Sequence, residues 1–186
     1  MISWGNYLRP AMLLIASASM LGSHSLPLDL NGRALDVIGG SASKVTVFIF
    51  IRTDCPISNR YAPEIERLSA KFQRSGVSFW LVYPSGDDSA LSIRKHLAEY
   101  GYATGALRDP QHALVGLAKV RVTPEAAIFG PGPQLLYHGR IDDRYVDFGK
   151  ARPAPSSHDL EKAIEAVLAG RTPPLAATRG IGCYIE

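Results

Sequence analysis

Residues 44–58 read KVTVFIFIRTDCPIS, and this stretch decides the fold. From Val45 to Ile51 the run is β-branched or aromatic throughout. An unbroken apolar run of that length predicts a central strand buried on both faces, not a surface strand, which would alternate. It stops at Arg52-Thr53-Asp54, and Cys55-Pro56 follows. Proline suits the first helical turn, where its missing N–H leaves no bond unmade. Ile57, Tyr61, Ile65, Leu68 and Phe72 then recur at helical spacing. Pro63 lies inside that pattern and predicts a kink. A cysteine is thus expected where a buried strand turns into a helix.

Outward from this centre the chain alternates strand and helix. Residues 77–83 (VSFWLVY) predict a second buried strand, and 89–100 an amphipathic helix with Leu91, Leu97 and Tyr100 inward. A short strand at Ala106-Leu107 and a short helix over 111–119 follow. Thr123-Pro124 precedes a strand over 125–129, and Gly130-Pro131-Gly132-Pro133 connects it tightly to a strand over 135–141. The last helix is expected over 159–168, with Leu160, Ile164, Val167 and Leu168 facing the sheet and Gly170 as its stop. Upstream, Asn31-Gly32 marks a hairpin turn. The order implies an α/β sandwich: a mixed central sheet, parallel first and closed by an antiparallel hairpin, with helices on both faces.

The chain has 186 residues, 46% hydrophobic and 20% charged, with a net charge of +3. That suits one soluble domain with tails, and the absence of a basic run argues against nucleic acid as a partner. Residues 1–25 carry Arg9, no acid, and the apolar run AMLLIASASML at 11–21. They read as a signal peptide for export to the periplasm or outside the cell, with a membrane tether as the alternative. Residues 26–170 form the domain. Residues 171–186, opened by Thr172-Pro173-Pro174, are expected to be an extended, mobile tail.

Residues 26–170 resemble the thioredoxin superfamily, in particular its redoxin and AhpC/TSA-type members. The likeness rests on VFIFIRTD running into Cys55-Pro56-Ile57-Ser58, on Pro63 eight positions after Cys55, on Thr123-Pro124 before a buried strand, and on Tyr137-His138-Gly139-Arg140-Ile141 as the last hairpin strand. It implies that Cys55 is redox-active and that Pro124 is a cis-proline facing it and shaping a peptide-binding surface. No cofactor is implied. Ser58 stands where thioredoxins carry their second cysteine. It can hydrogen-bond the Cys55 sulfur but cannot close a local disulfide. Ile49 stands in place of the buried acid that thioredoxins use for proton transfer. Peroxiredoxins carry a Thr or Ser three residues before the cysteine, where this chain has Arg52; Arg121 is a weaker candidate for their assisting arginine.

Thiolate is the reactive form of cysteine, and a helix N-terminus with nearby cations favours it. Arg52 and Arg60 act in that sense on Cys55, and Asp54 against it. The one other cysteine, Cys183, lies in Arg179-Gly180-Ile181-Gly182-Cys183-Tyr184. A flexible arm with two glycines can carry it to Cys55 as a resolving thiol, and an exported protein meets an oxidising compartment. The five histidines, His24, His96, His112, His138 and His158, show no metal-ligand spacing with either cysteine, so surface or structural roles are expected and no metal site. Asp142-Asp143-Arg144-Tyr145 reads as a solvated turn. The functional expectation is a thiol-disulfide oxidoreductase-like redoxin of the cell envelope, acting on protein thiols or disulfides and drawing on an unidentified electron donor. A thiol peroxidase acting on peroxide and a non-catalytic binding module of the same fold are the alternatives.

Overall fold

The computed structural model describes Met1, residues 25–38 and residues 43–186. The signal-peptide reading falls on residues outside the described ones. Among the described residues no helix is long and apolar enough to cross a membrane.

The centre is a five-stranded sheet. Strand β1 (Val45–Phe50) is buried along its whole length, with β2 (Val77–Tyr83) and β3 (Gly105–Arg108) outside it in turn, both parallel. On its other side lie β5 (Glu125–Phe129), antiparallel to β1, and β6 (Leu135–Gly139), antiparallel to β5, giving the order β3-β2-β1-β5-β6. Between them in the chain, β4 (Val122–Thr123) stands outside this sheet. The expected mixed sheet is therefore present, parallel strands first and the antiparallel pair last.

Successive side chains of a strand point to opposite faces, and β1 shows the consequence. Val45, Val47, Ile49 and Ile51 pack into a core with α1 (Pro56–Arg60), α2 (Ala62–Phe72), α3 (Ala90–Tyr100) and α5 (Asp159–Leu168). Phe48 and Phe50 pack into the opposite core with α4 (Ala113–Ala118). Helices therefore cover both faces. The kink expected from Pro63 is a break at Tyr61 between α1 and α2: a proline two positions on cannot donate to the carbonyl four residues back. Salt bridges from Arg67 to Glu161, and from Lys71 to Glu161 and Glu165, join α2 to α5, while Glu64 holds Arg67 from within α2. Near the start of the domain, Asn31-Gly32 does form a turn, bridged by Leu28 and Ala34 and held by the Asp29 carboxylate accepting from the Asn31 and Arg33 N–H groups.

Several local expectations need correction. Leu91 is 79% exposed. The inward stripe of α3 is Ile93, His96, Leu97 and Tyr100, and Leu91 lies two residues, about 200°, away from its first member. Leu168 is 37% exposed, because α5 seats Leu160, Ala163, Ile164 and Val167 and its final residue falls off the end of that stripe. The turn at 142–145 is not solvated. Asp142 is buried, accepting from the Tyr61 hydroxyl and the Arg144 N–H. Asp143 is buried too, held by the Ser156 hydroxyl, the Ser156 and Ser157 N–H groups and Arg152. Burial pushes its carboxyl up, but those donors outweigh it and bring it down to about 2.

Candidate active site

Cys55 is the N-cap of α1 and is completely buried. The strand-to-helix turn places it there, against the loop that carries Pro124. The Thr123–Pro124 peptide bond is cis, and the Cys55 Sγ lies 3.1 Å from the Thr123 carbonyl oxygen, to which the thiol donates. Ser58, one helical turn on, is fully buried, and its hydroxyl has no hydrogen-bond partner among the described residues, which leaves it available to the Cys55 sulfur.

The tail is where expectation and structure part. Residues 176–185 do not hang free. The His138 N–H donates to the Ala176 carbonyl and the Thr178 N–H to the His138 carbonyl. The Thr178 hydroxyl contacts the Tyr137 hydroxyl and accepts from the Arg140 N–H. The chain then forms β9 (Cys183–Tyr184), antiparallel to β4, with Thr123 opposite Cys183 and Val122 opposite Tyr184. Ile181 packs on one core and Ile185 on the other. Glu125, at the start of β5, is buried and clamps the arrangement: one oxygen accepts from the Arg121 and Val122 N–H groups, the other from the Gly180 N–H.

The two glycines are the physical reason the tail docks. A Cβ on Gly182 would lie 2.0 Å from the Thr123 oxygen, and one on Gly180 would lie 2.5 Å from the Glu125 side chain. They permit close backbone approach and not the swing expected of them. Glycine at alternate positions just before a cysteine was the available signal, since alternate residues share one side of an extended strand.

Docking brings the Cys183 Sγ to 2.8 Å from the Cys55 Sγ, both sulfurs being free thiols. A disulfide bond is about 2.05 Å long, so closing it needs only a small approach. The pair is electrostatically unequal. Burial pushes the Cys55 thiol up, but hydrogen bonds from the Cys183 thiol and from Ser58 outweigh it, and the net shift is downward. Burial, the same shared hydrogen bond and the neighbouring Cys55 charge push Cys183 up to about 12. When the pair ionises, Cys55 therefore gives up its proton to become the thiolate, and Cys183 keeps its own. Because α1 is only five residues long, these hydrogen bonds and not a long helix dipole do most of the stabilising.

Of the flanking charges, Arg52 pairs with Asp54 at 3.0 Å and also reaches the Tyr184 carbonyl. Arg60 is exposed. Arg121 contributes its backbone, donating to Glu125 and accepting from Ile185, while its exposed guanidinium makes no bond to Cys55. Sequence reading missed the support behind the loop. The Thr53 hydroxyl donates to Asp88 at 2.5 Å, and the Asn59 amide donates to the Thr53 carbonyl. His96 is buried with its ring nitrogens at 2.8 Å from the Asn59 Oδ1 and 2.9 Å from the Tyr83 hydroxyl. Burial holds that imidazole below its ordinary range. It is a structural link between α3, α1 and β2.

One trio, Glu64, Asp142 and His158, brings potential metal-ligating atoms within 4.8 Å of one another. Both Glu64 oxygens, however, accept from Arg67. The trio contains neither cysteine and serves as a polar joint between α2, the 142–145 turn and the start of α5.

No family model and no curated protein matches the chain. Solved structures do. An uncharacterized conserved protein from Geobacillus kaustophilus superposes with a TM-score of 0.73 at 24% identity, over 89% of this chain and 90% of that one. A secreted Mycobacterium tuberculosis disulfide oxidoreductase, described as homologous to E. coli DsbE, gives a TM-score of 0.51 at 15% identity, over 79% and 96%. The thioredoxin domain of a thiol-disulfide oxidoreductase from Bacteroides vulgatus gives 0.53 at 14%, over 76% and 91%. At these identities the likeness is one of fold, and the fold is thioredoxin-like.

Proposed function

We propose that the protein is an exported thiol-disulfide oxidoreductase whose redox couple is Cys55–Cys183. The observation that carries this reading is the 2.8 Å approach of the two sulfurs across a tail docked strand-to-strand on the cis-proline loop. The oxidoreductases among the fold neighbours, one of them secreted, support both the activity and the export.

The chemistry balances over one cycle. With both thiols free, Cys183 is the outer, half-buried residue and Cys55 the buried one, and closing the bond over so short a distance keeps that order. A partner thiolate attacks the Cys183 sulfur. The Cys55–Cys183 bond breaks, and Cys55 leaves as the thiolate that Ser58 stabilises; the thiol of lower pKa is the better leaving group. The partner's second thiolate then attacks its own sulfur in the mixed disulfide. Cys183 is released and takes a proton, and the partner departs as a disulfide. Two electrons pass from the partner dithiol to the protein disulfide. The reverse sequence reduces a partner disulfide, with an external dithiol or disulfide restoring the couple. This order exchanges the roles expected of the two cysteines: the thiolate is Cys55, but the sulfur that meets the partner is Cys183.

The test is equilibration in glutathione redox buffers followed by non-reducing digestion and mass spectrometry. A reversible Cys55–Cys183 link is expected in wild type, and Cys55→Ser and Cys183→Ser should each abolish it. Accumulation of Cys55 as sulfenic or sulfinic acid, with Cys183 left free, would show the couple to be wrong.

A further inference from the structure

The face of the molecule beside Cys183 carries a groove of about 880 Å³. Lys119, Arg121 and Arg179 line it together with Phe148, Cys183 and Tyr184. None of the three cations makes an ion pair or a side-chain hydrogen bond among the described residues. Of the two acids in the wall, Glu125 is buried and committed to three backbone N–H groups. Asp147 accepts from the Phe148 N–H in the hairpin between β7 (Tyr145–Asp147) and β8 (Lys150–Ala151). Positive charge therefore exceeds negative on the open surface of the groove. Phe148 and Tyr184 present their rings there, 66% and 73% exposed. The strand that carries Cys183 pairs with no strand but β4, and its Tyr184 carbonyl accepts from the Arg52 side chain at a long 3.4 Å, a bond that a further strand can displace.

Resting on the reading of Cys55–Cys183 as a redox couple, we infer that this groove docks an extended, acidic polypeptide segment with its cysteine placed against Cys183. Three observations converge on that partner. Unpaired cations select negative side chains and raise the encounter rate. The two exposed aromatic rings suit apolar residues in the same segment. The edge of β9 takes an extended backbone once Arg52 yields the Tyr184 carbonyl, which brings a partner sulfur to the outer sulfur of the pair. A basic or neutral segment would leave the three cations uncompensated.

The experiment separates docking from sulfur chemistry. Fluorescence anisotropy measures binding of labelled peptides that carry Ser in place of Cys, in acidic, neutral and basic versions of one sequence, with the wild-type protein and with Lys119→Glu/Arg121→Glu/Arg179→Glu. Wild type should bind the acidic peptide about tenfold or more tighter than the basic one at low salt, with the difference shrinking as salt screens it. The triple variant should reverse the preference, whereas Arg74→Glu/Lys95→Glu/Arg171→Glu, which shifts the net charge equally at exposed positions outside the groove, should keep the wild-type preference. Equal binding of acidic and basic peptides to wild type, or an unchanged preference in the triple variant, would overturn the inference. Reduction of the oxidised wild-type protein by the uncharged thiol 2-mercaptoethanol is followed in parallel. Failure of that reaction alone refutes the redox couple and leaves the binding result to stand by itself.

Discussion

Gly182→Ala tests how much of the site depends on the docked tail. The added Cβ would sit 2.0 Å from the Thr123 oxygen and 2.6 Å from its carbonyl carbon. Carbon–oxygen contacts of this kind ordinarily lie at about 3.3 Å or more, so β9 must retreat by about 1.3 Å or detach. Both obstructing atoms are backbone, in a loop clamped by Glu125, and neither can swing aside. Retreat weakens the β4–β9 pairing and the bond from the Ile185 N–H to the Arg121 carbonyl. At about 1 kcal/mol for each hydrogen bond, with part of the Ile181 and Ile185 burial added, local docking loses about 3 kcal/mol. The Cys183 sulfur moves with its strand, and a displacement of about 1 Å costs on the order of 100-fold in an oriented reaction. Disulfide closure after mixing reduced protein with glutathione disulfide, sampled by rapid alkylation and mass spectrometry, should slow by about that factor. Alkylation of Cys183 should accelerate. Gly116→Ala is the control, since a Cβ there meets nothing within 4 Å. Closure in Gly182→Ala within about threefold of wild type would refute the account of the tail.

Ser58→Ala removes a donor to the Cys55 thiolate and should raise its titration midpoint, read from thiolate ultraviolet absorbance; an unmoved midpoint would exclude Ser58 from thiolate stabilisation. Cys183→Ser should trap no internal disulfide and, under peroxide, let Cys55 proceed to sulfenic acid, read by dimedone labelling. His96 has a folded pKa held below its unfolded value by burial, so the native state binds fewer protons. Its stabilising contribution is therefore present above the unfolded pKa of about 6.5 and is lost as pH falls below it. Urea midpoints should decline from pH 7 to pH 5 in wild type and decline less in His96→Gln. Asp143 is lowered from 3.8 to about 2, so it contributes about 2 kcal/mol above pH 4, lost as pH falls through about 2. Asp143→Asn should cost about that much at pH 7, with the two proteins converging in acid.

Local pattern alone determined the centre of this protein. Val45–Ile51 is β-branched or aromatic throughout, with Thr46 its single polar side chain and no alternation, so it reads as an inner strand, and Pro56 and Pro63 then marked where the next helix starts and where it breaks. The same short-range chemistry placed Cys55 at the strand-to-helix turn and read Thr123-Pro124 as the loop facing it. Three things were decided only in three dimensions. The acids at 142 and 143 look solvated in sequence, yet donors from Tyr61 and from Ser156 and Ser157 allow their burial. His96 takes its partners from β2 and α1, elements that sequence spacing does not connect. Above all, Cys183 lies 128 residues from Cys55. Glycines at 180 and 182 are compatible equally with a loose arm and with a strand pressed against another backbone. Glycine lacks a Cβ in both cases, and only the folded position of Thr123 and Glu125 determines which use is made of that missing atom.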